Sequence, residues 1–495
     1  MAKKSQTGPA HVLGLPVPGR PSRASRHLQD IAQRRKLTPS ERVARGKDSR
    51  KRAPRRSHAL WAAAPDRPDP VRLLEEQGAQ RGPDLVPVRY GRMLASPFAF
   101  YRGGALIMAS DLSSTPTSGL IAQTCGDAHL ANFGLYMSPQ RRLVFDINDF
   151  DETLPGPWEW DVKRLATSFE VAGRHRGFPT ATRRSIVLAC VRGYREAMAE
   201  MAAMRAIDVW YAHLDAELIR TGLSELNKRS ARQVEEGLSK AAGKDSMRAL
   251  TRLTQVVDGR PRFVSDPPLL VPVDELLTGM QRKQYKGAME MALRSYRSSL
   301  SSQNRCLYDI YRYREMARKV VGVGSVGTRA WVLLFVGRDN DDPLILQSKQ
   351  AQASVLERFV GRSRYGNAGR RVVEGQRLMQ SLSDVLLGWY HVIGFDGKPY
   401  DFYVRQLWDG KGSVDVEVLD ESAWSAYAQM CAWVLARAHA RTGDRIAIAA
   451  YLGAGDVFDR AIADFTAVYA EQNQRDYQAL QAAVESGRVK AVVGV

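Results

Sequence analysis

The apolar positions fall into stretches of different period. Leu143-Val144-Phe145-Asp146-Ile147 has the length and composition of a strand, follows a short hairpin and runs into Asp149-Phe150-Asp151. Asp69–Gln77 predicts a short helix. The aromatics of Ser96–Gly103 read as core anchors, and Arg102 beside them is a candidate phosphate contact or a structural ion pair. Pro155-Gly156-Pro157 ends one element, and Asp161 is placed to cap or anchor the next helix. From there to about Arg318 the spacing is mostly helical, as in Ile186, Val187, Cys190, Val191, Tyr194, Met198 and Met201. The interval 223–286 is basic and less periodic, broken at Asp258-Gly259 and Pro267-Pro268, and reads as an insertion or lid.

At Val320 the period changes. Val320–Gly337 reads as a Gly-rich turn between β-favouring runs, and Leu344–Lys349 as a third strand. Arg370–Met379 has helical spacing. Trp389–Gly394 and Tyr400–Leu407 read as paired strands around Asp396-Gly397, and the chain is helical from Ser422. The expected organisation is α+β, in four parts. Residues 1–68 form a disordered basic arm and 69–319 a helical lobe with the insertion at 223–286. Residues 320–420 form a small antiparallel β lobe, and 421–495 are helices that return to the large lobe.

The length of 495 residues, with 44% hydrophobic and 25% charged content, suits a globular protein of more than one domain. No apolar run reaches bilayer length, and the basic N-terminus lacks the apolar core of a signal peptide. Four scattered cysteines form no CxxC pair, which argues against a zinc or disulfide framework and suits the cytoplasm. The net charge of +19 is concentrated in Arg20–Arg56, where apolar periodicity is poor. A solvated leader is the simpler reading of that arm. A weak contact with nucleic acid or another anionic surface is the functional one, and removal of the arm is expected to leave the fold and its chemistry intact.

The candidate chemistry lies in two separated segments. In Thr124–Gly134, Asp127 precedes Asn132 by five positions, and the hairpin and strand then deliver Asp149 and Asp151. Phosphoryl transfer needs carboxylates and amides fixed around metal and phosphate, and this spacing supplies them. Asp127 would orient the attacking hydroxyl, and Asn132 and Asp149 would bind Mg²⁺ with Asp151 assisting. Asp146 is an alternative ligand. Downstream, Gly322, Gly324 and Gly327, with Ser325 among them, match GxGxxG between two strands, a flap whose amides can cover phosphates. Lys349 on the next strand would meet the α/β phosphates of ATP, aimed by Glu374 on the following helix. Glu357 is nearer in sequence and the second choice.

Taken together these residues resemble the aminoglycoside phosphotransferase branch of the protein-kinase-like fold. Gly126–Asn132 is similar to its HGDxHxxN box, Asp149-Phe150-Asp151 to its metal-binding segment, and Trp160-Asp161 to its later structural Asp. Asp127 precedes Lys349, and Cys431–Ala440 looks like the helix that normally precedes the catalytic loop, so the resemblance implies a two-lobed, circularly permuted kinase-like fold. Ser96–Gly103, Gly126–Gly134, Asn148–Trp158 and Arg371–Gln380 more closely resemble a bacterial family, domain of unknown function 2252. Cys125 stands in place of the first His of the box, and Arg329 in place of the usual flap Val. The resemblance implies an ATP- and Mg²⁺-dependent phosphotransferase acting on a hydroxyl of a small molecule or protein. The alternatives are AMP transfer, a nucleotide-binding pseudokinase, or a nucleic-acid-binding protein working through the arm.

Overall fold

The computed structural model describes residues 36–222, 228–243, 246–277, 279–320, 322, 326–407, 410 and 412–494. The chain mixes helices with several antiparallel sheets. Helix α1 (Pro39–Arg52) opens with a capping box in which Thr38 and Glu41 satisfy each other's backbone N–H groups. Helices α2 (Pro70–Gly78), α3 (Val86–Met93), α4 (Pro97–Gly103) and α5 (Ala105–Leu112) follow. Next come β1 (Ile121–Thr124), the hairpin β2 (Phe133–Met137) and β3 (Leu143–Ile147), and β4 (Leu154–Pro157), which pairs back onto β1. The Pro-Gly-Pro segment is therefore a strand and not only a terminator. Its two prolines sit on a two-stranded ribbon, where the missing N–H groups are tolerated.

Helices α6 (Trp158–His175) and α7 (Thr180–Ala203) carry the main core. A separate sheet then begins with β5 (Leu270–Pro272), β6 (Arg312–Lys319), β7 (Ala330–Val336) and β8 (Pro343–Ala351). After helix α8 (Ala368–Met379) come β9 (Gly388–Ile393) and β10 (Pro399–Gln406), and all six strands form one antiparallel sheet in the order β9-β10-β8-β7-β6-β5. Helices α9 (Glu421–Thr442), α10 (Arg445–Leu452) and α11 (Val457–Glu485) complete the chain. Helix α9 packs along α7, and α11 along α6. Among the described residues no helix is long and apolar enough to cross a membrane.

Three expectations are corrected. The β lobe begins at Leu270, not at 320. Strand β6 was hidden because only its centre, Glu315–Ala317, is buried, while Arg312, Arg314, Arg318 and Lys319 flank it. The segment 223–286 is more than an insertion. Ala249, Leu253 and Phe263 cover one face of the sheet against Val332, Leu334 and Ile345, while Tyr296 of helix Gly279–Ser299 and Leu300 just after it cover the other.

The third correction concerns the arm, which is ordered and docked from residue 38 onward. Arg42 pairs with the buried Asp444 at 2.7 Å, Arg50 donates to Tyr451 O at 2.9 Å, and His58 meets the Tyr451 hydroxyl at 2.6 Å. Arg67 bridges Asp111 and Asp476. At Gly46 the helices approach so closely that a Cβ would lie 2.1 Å from Ala447 O. This interface is made of arginines meeting carboxylates and helix-end carbonyls, so it leaves no apolar period to read.

Candidate active site

The loop from Cys125 to Asn132 is gripped from below. Asp161, in the first turn of α6, accepts the backbone N–H groups of Cys125 at 2.8 Å and Gly126 at 3.0 Å, and His439 Nε2 of α9 lies 3.2 Å from the same carboxylate. Asp161 thus anchors the loop as well as opening a helix. Gly126 has φ +78, and a Cβ there would lie 2.4 Å from Glu152 O, so the turn demands glycine. Cys125 contributes its backbone donor, and burial pushes its thiol well above the ordinary thiol range. Ser168 Oγ accepts from Leu130 N at 3.0 Å, and the Tyr427 hydroxyl donates to Leu130 O at 2.7 Å.

Asp127 emerges from this loop with one oxygen committed. Arg164, buried on α6, donates Nε to Asp127 Oδ1 at 2.6 Å and Nη2 to Tyr101 O at 2.9 Å. Asp127 Oδ2 lies 3.8 Å from His129 Nε2. Burial beside Arg102 and Arg164 holds the His129 imidazole well below its usual range, so it stays neutral. Asn132 gives its amide nitrogen to Asp127 O at 2.9 Å, and among the described residues its Oδ1 has no protein donor. The two halves of the motif are stitched together by Asn148 N, which donates to Asn132 O at 2.8 Å.

Lys349 comes from the middle of the six-stranded sheet, paired across to Ala330 on one side and Tyr403 on the other. Its side chain is 3% exposed, and its ammonium lies 2.7 Å from Asp151 Oδ2 and 4.0 Å from Asp149 Oδ2. The Tyr403 hydroxyl donates to Asp151 Oδ1 at 2.6 Å. Burial opposes ionisation of Asp151, but Lys349 and the Tyr403 hydroxyl outweigh it and bring the carboxyl down to about 2. Asp149 moves the other way. Burial and the adjacent Asp151 charge push it up, leaving a carboxylate that a further cation would relieve.

The predicted Lys349–Glu374 pair does not form. Glu374 sits 3.6 Å from Arg377 and 4.0 Å from Arg370 on its own helix, and Asp151 takes its place as the lysine's partner. Glu357 lies 3.9 Å from Arg371, so the second choice does not meet the lysine either. Asp146 is fully buried against Arg437 and Ser381, away from any open ligand position. Gly322 and Gly327 have φ of +64 and +87, as a glycine flap requires, whereas Gly324 and Ser325 lie outside the described residues. The flap is tied to the early helices: Gly82 N donates to Gly327 O at 2.7 Å, and Arg81 donates to Val326 O.

A cleft of about 240 Å³ lies between these parts, lined by Asp127, His129, Asn132, Asp149 and Asp151 on one side and by Arg81, Arg89 and Arg102 on the other. Sequence reasoning missed Arg164, Arg371 and Arg89. Arg371 of α8 is buried and donates to Asp151 O, Thr153 O and Gln352 O, which fixes the backbone of the Asp149–Thr153 segment to the β8 exit. Its one signal was its place in the Arg371–Gln380 motif. Arg164 had a weaker signal, lying three positions after Asp161.

A family model described as an uncharacterized protein conserved in bacteria matches residues 81–483. No curated protein and no solved structure matches the chain. The matched region contains the Cys125–Asn132 loop, the Asp149–Asp151 segment, Lys349 and α8, and covers most of the chain, which therefore belongs to the bacterial DUF2252 family.

Proposed function

We propose that this protein is an ATP- and Mg²⁺-dependent phosphotransferase acting on a hydroxyl of a small molecule or protein, on a circularly permuted kinase-like scaffold. One observation carries the reading. Lys349 and the Asp149–Asp151 segment, about 200 positions apart in the chain, meet at 4.0 and 2.7 Å beside the loop of Asp127 and Asn132. A glycine turn between two antiparallel strands, followed by a third strand bearing the lysine and then a helix, supports the same scaffold.

The residues fit the nucleotide and its metal. Among the described residues Asn132 Oδ1 has no protein donor, Asp149 is pushed up by burial and by the adjacent Asp151 charge, and Arg102 has a buried Nε without an acceptor. Among the described residues no three His, Cys, Asp or Glu side chains form a metal cluster. Asn132 and Asp149 would therefore share Mg²⁺ with phosphate oxygens and water, the usual manner for this ion. Bound Mg²⁺ would neutralise phosphate charge. Lys349, held by Asp151, would meet the phosphates, and the flap would shield them from water. Asp127, fixed through Oδ1 by Arg164, would present Oδ2 to the acceptor hydroxyl.

The test is incubation of the full chain with ATP and Mg²⁺, following ADP, AMP and mass gain on added hydroxyl compounds and on the protein. ADP production that disappears in Asp149→Asn supports the proposal. AMP on the product would select nucleotidyl transfer. Thermal stabilisation by ATP without turnover would select a pseudokinase, and no nucleotide binding at all would overturn the reading. The nucleic-acid alternative finds no support in the described part of the arm, where Arg42, Arg50 and Arg55 are engaged with the body of the protein.

A further inference from the structure

Helix α8 and the segment before it carry a ladder of cations and aromatic rings. Arg370 and Arg377 are seven positions apart on the helix and share one face. Arg370 lies over the Tyr365 ring at 5.1 Å and over the Trp389 ring of β9 at 5.5 Å. Arg377 lies over the same Trp389 ring at 5.8 Å, and Arg364 over the same Tyr365 ring at 4.8 Å. Three guanidinium groups and two rings thus alternate in one continuous run beside β9, the edge strand of the six-stranded sheet. Arg362 precedes the run, and Arg362, Arg364 and Arg370 are exposed. Among the described residues Arg362 and Arg364 have no ion pair, and Glu374 is the one carboxylate set against Arg370 and Arg377, at 4.0 and 3.6 Å. The strip is therefore strongly cationic, and like charges held this close favour an anionic partner.

The alternation decides the kind of partner. A guanidinium over a ring still offers its N–H edge to a phosphate, and Arg364, which meets one ring only, keeps a second plane for another π-face. A nucleic acid strand supplies both phosphates and planes, and only unpaired bases expose their planes. An acidic peptide would supply charge without planes. A membrane surface would call for exposed apolar side chains, and no large apolar side chain from 357 to 379 is exposed. We infer that this strip binds a single-stranded nucleic acid, with phosphates on the arginine edges and a base on the open plane of Arg364. None of the ladder's side chains lines the cleft of Asp127 and Asp149, so the inference stands apart from the phosphotransferase reading.

The test is fluorescence anisotropy of a labelled single-stranded RNA of mixed sequence, about 20 nucleotides long, titrated with the full chain from about 50 to 200 mM salt. The combined variant R362Q/R364Q/R370Q should weaken binding by about tenfold or more at low salt. It should also lower the slope of log affinity against log salt by about 2, since each phosphate contact on a single strand contributes about 0.7. Its Tm should match the wild type, because among the described residues none of the three arginines has an ion pair shorter than 4.0 Å. R364K/R370K keeps the charge without the planar group, so it should retain the salt slope and lose affinity several-fold. No binding of RNA by the wild type, or unchanged affinity and slope in the combined variant, would overturn the inference. So would a duplex of the same sequence bound as tightly as the single strand, which would leave charge alone as the cause. Polyglutamate or anionic vesicles displacing the RNA as well as unlabelled RNA does would select a peptide or a membrane surface instead. A fall in Tm with unchanged affinity would make the ladder a staple of the fold and no binding surface.

Discussion

Asp161→Asn isolates the grip on the Cys125–Asn132 loop. Two backbone N–H groups, of Cys125 and Gly126, converge on the two oxygens of this carboxylate at 2.8 and 3.0 Å, and the side chain is 2% exposed. Asparagine keeps the shape but supplies one acceptor, so one N–H must face an NH₂ group. The cost combines an unsatisfied buried donor with loss of charge assistance on the surviving bond, about 2–4 kcal/mol. His439, 3.2 Å away, can accept from the new amide and pulls the value toward the lower end. The assay is urea unfolding together with amide exchange of a peptide spanning Cys125 and Gly126. If opening of the loop bears about 2 kcal/mol of the loss, exchange there should accelerate about thirtyfold, with smaller changes in α7. A loss below about 0.5 kcal/mol with unchanged protection would refute the idea that Asp161 holds this loop.

Further outcomes follow from the same geometry. Asp149→Asn should remove Mg²⁺-dependent nucleotide binding while the melting curve survives; unchanged affinity by calorimetry would contradict the metal role. Asp127→Ala should leave nucleotide affinity nearly intact and slow transfer by about a hundredfold or more, and equal turnover in both proteins would remove Asp127 from the mechanism. Lys163 is fully buried over the Phe465 ring with its ammonium unbonded, and burial brings it down to about 7. Its folded value lies below its unfolded one, so wild-type stability is greatest above the ordinary lysine range and falls as pH drops through 7. Lys163→Met should therefore stabilise the protein at pH 6, with a gain that shrinks toward pH 10 in urea titrations; a pH-independent difference would refute this. Deleting residues 36–60 should lower Tm by about 3 °C or more, because Asp444 and the carbonyls of Tyr451 and Leu452 lose their arginines; an unchanged Tm would show the docked arm to be dispensable.

What the chain discloses without a structure follows from how local each determinant is. Asp127, Asn132 and Asp149 stand out because polar side chains recur there at short, fixed intervals, and all three line one cleft, while Lys349 stands out by its place on the strand after a glycine-rich turn and comes within 4.0 Å of Asp149. The partner of Lys349 was misassigned because a charge pair depends on how a strand and a loop approach in space. At that approach Asp151 is 2.7 Å away, while Glu374 is held by arginines on its own helix. Strand β6 escaped notice because basic residues at its ends mask a short buried centre. The arm escaped because backbone carbonyls, its main targets, have no signature in sequence.

The link from His439 to Asp161 has a consequence for biosynthesis. The loop bearing Asp127 is made early, yet the side chains that steady it, His439 and Tyr427, are made more than 290 positions later. At ordinary rates of translation that gap lasts roughly 15 to 60 seconds, during which β1 and the α6–α7 pair wait without α9 to cover them. The nascent chain must therefore keep a large apolar face from aggregating until α9, in about its last sixth, has emerged. Ribosomes stalled before residue 420 should carry chains that bind holdase chaperones strongly, whereas release of the full-length chain should free them.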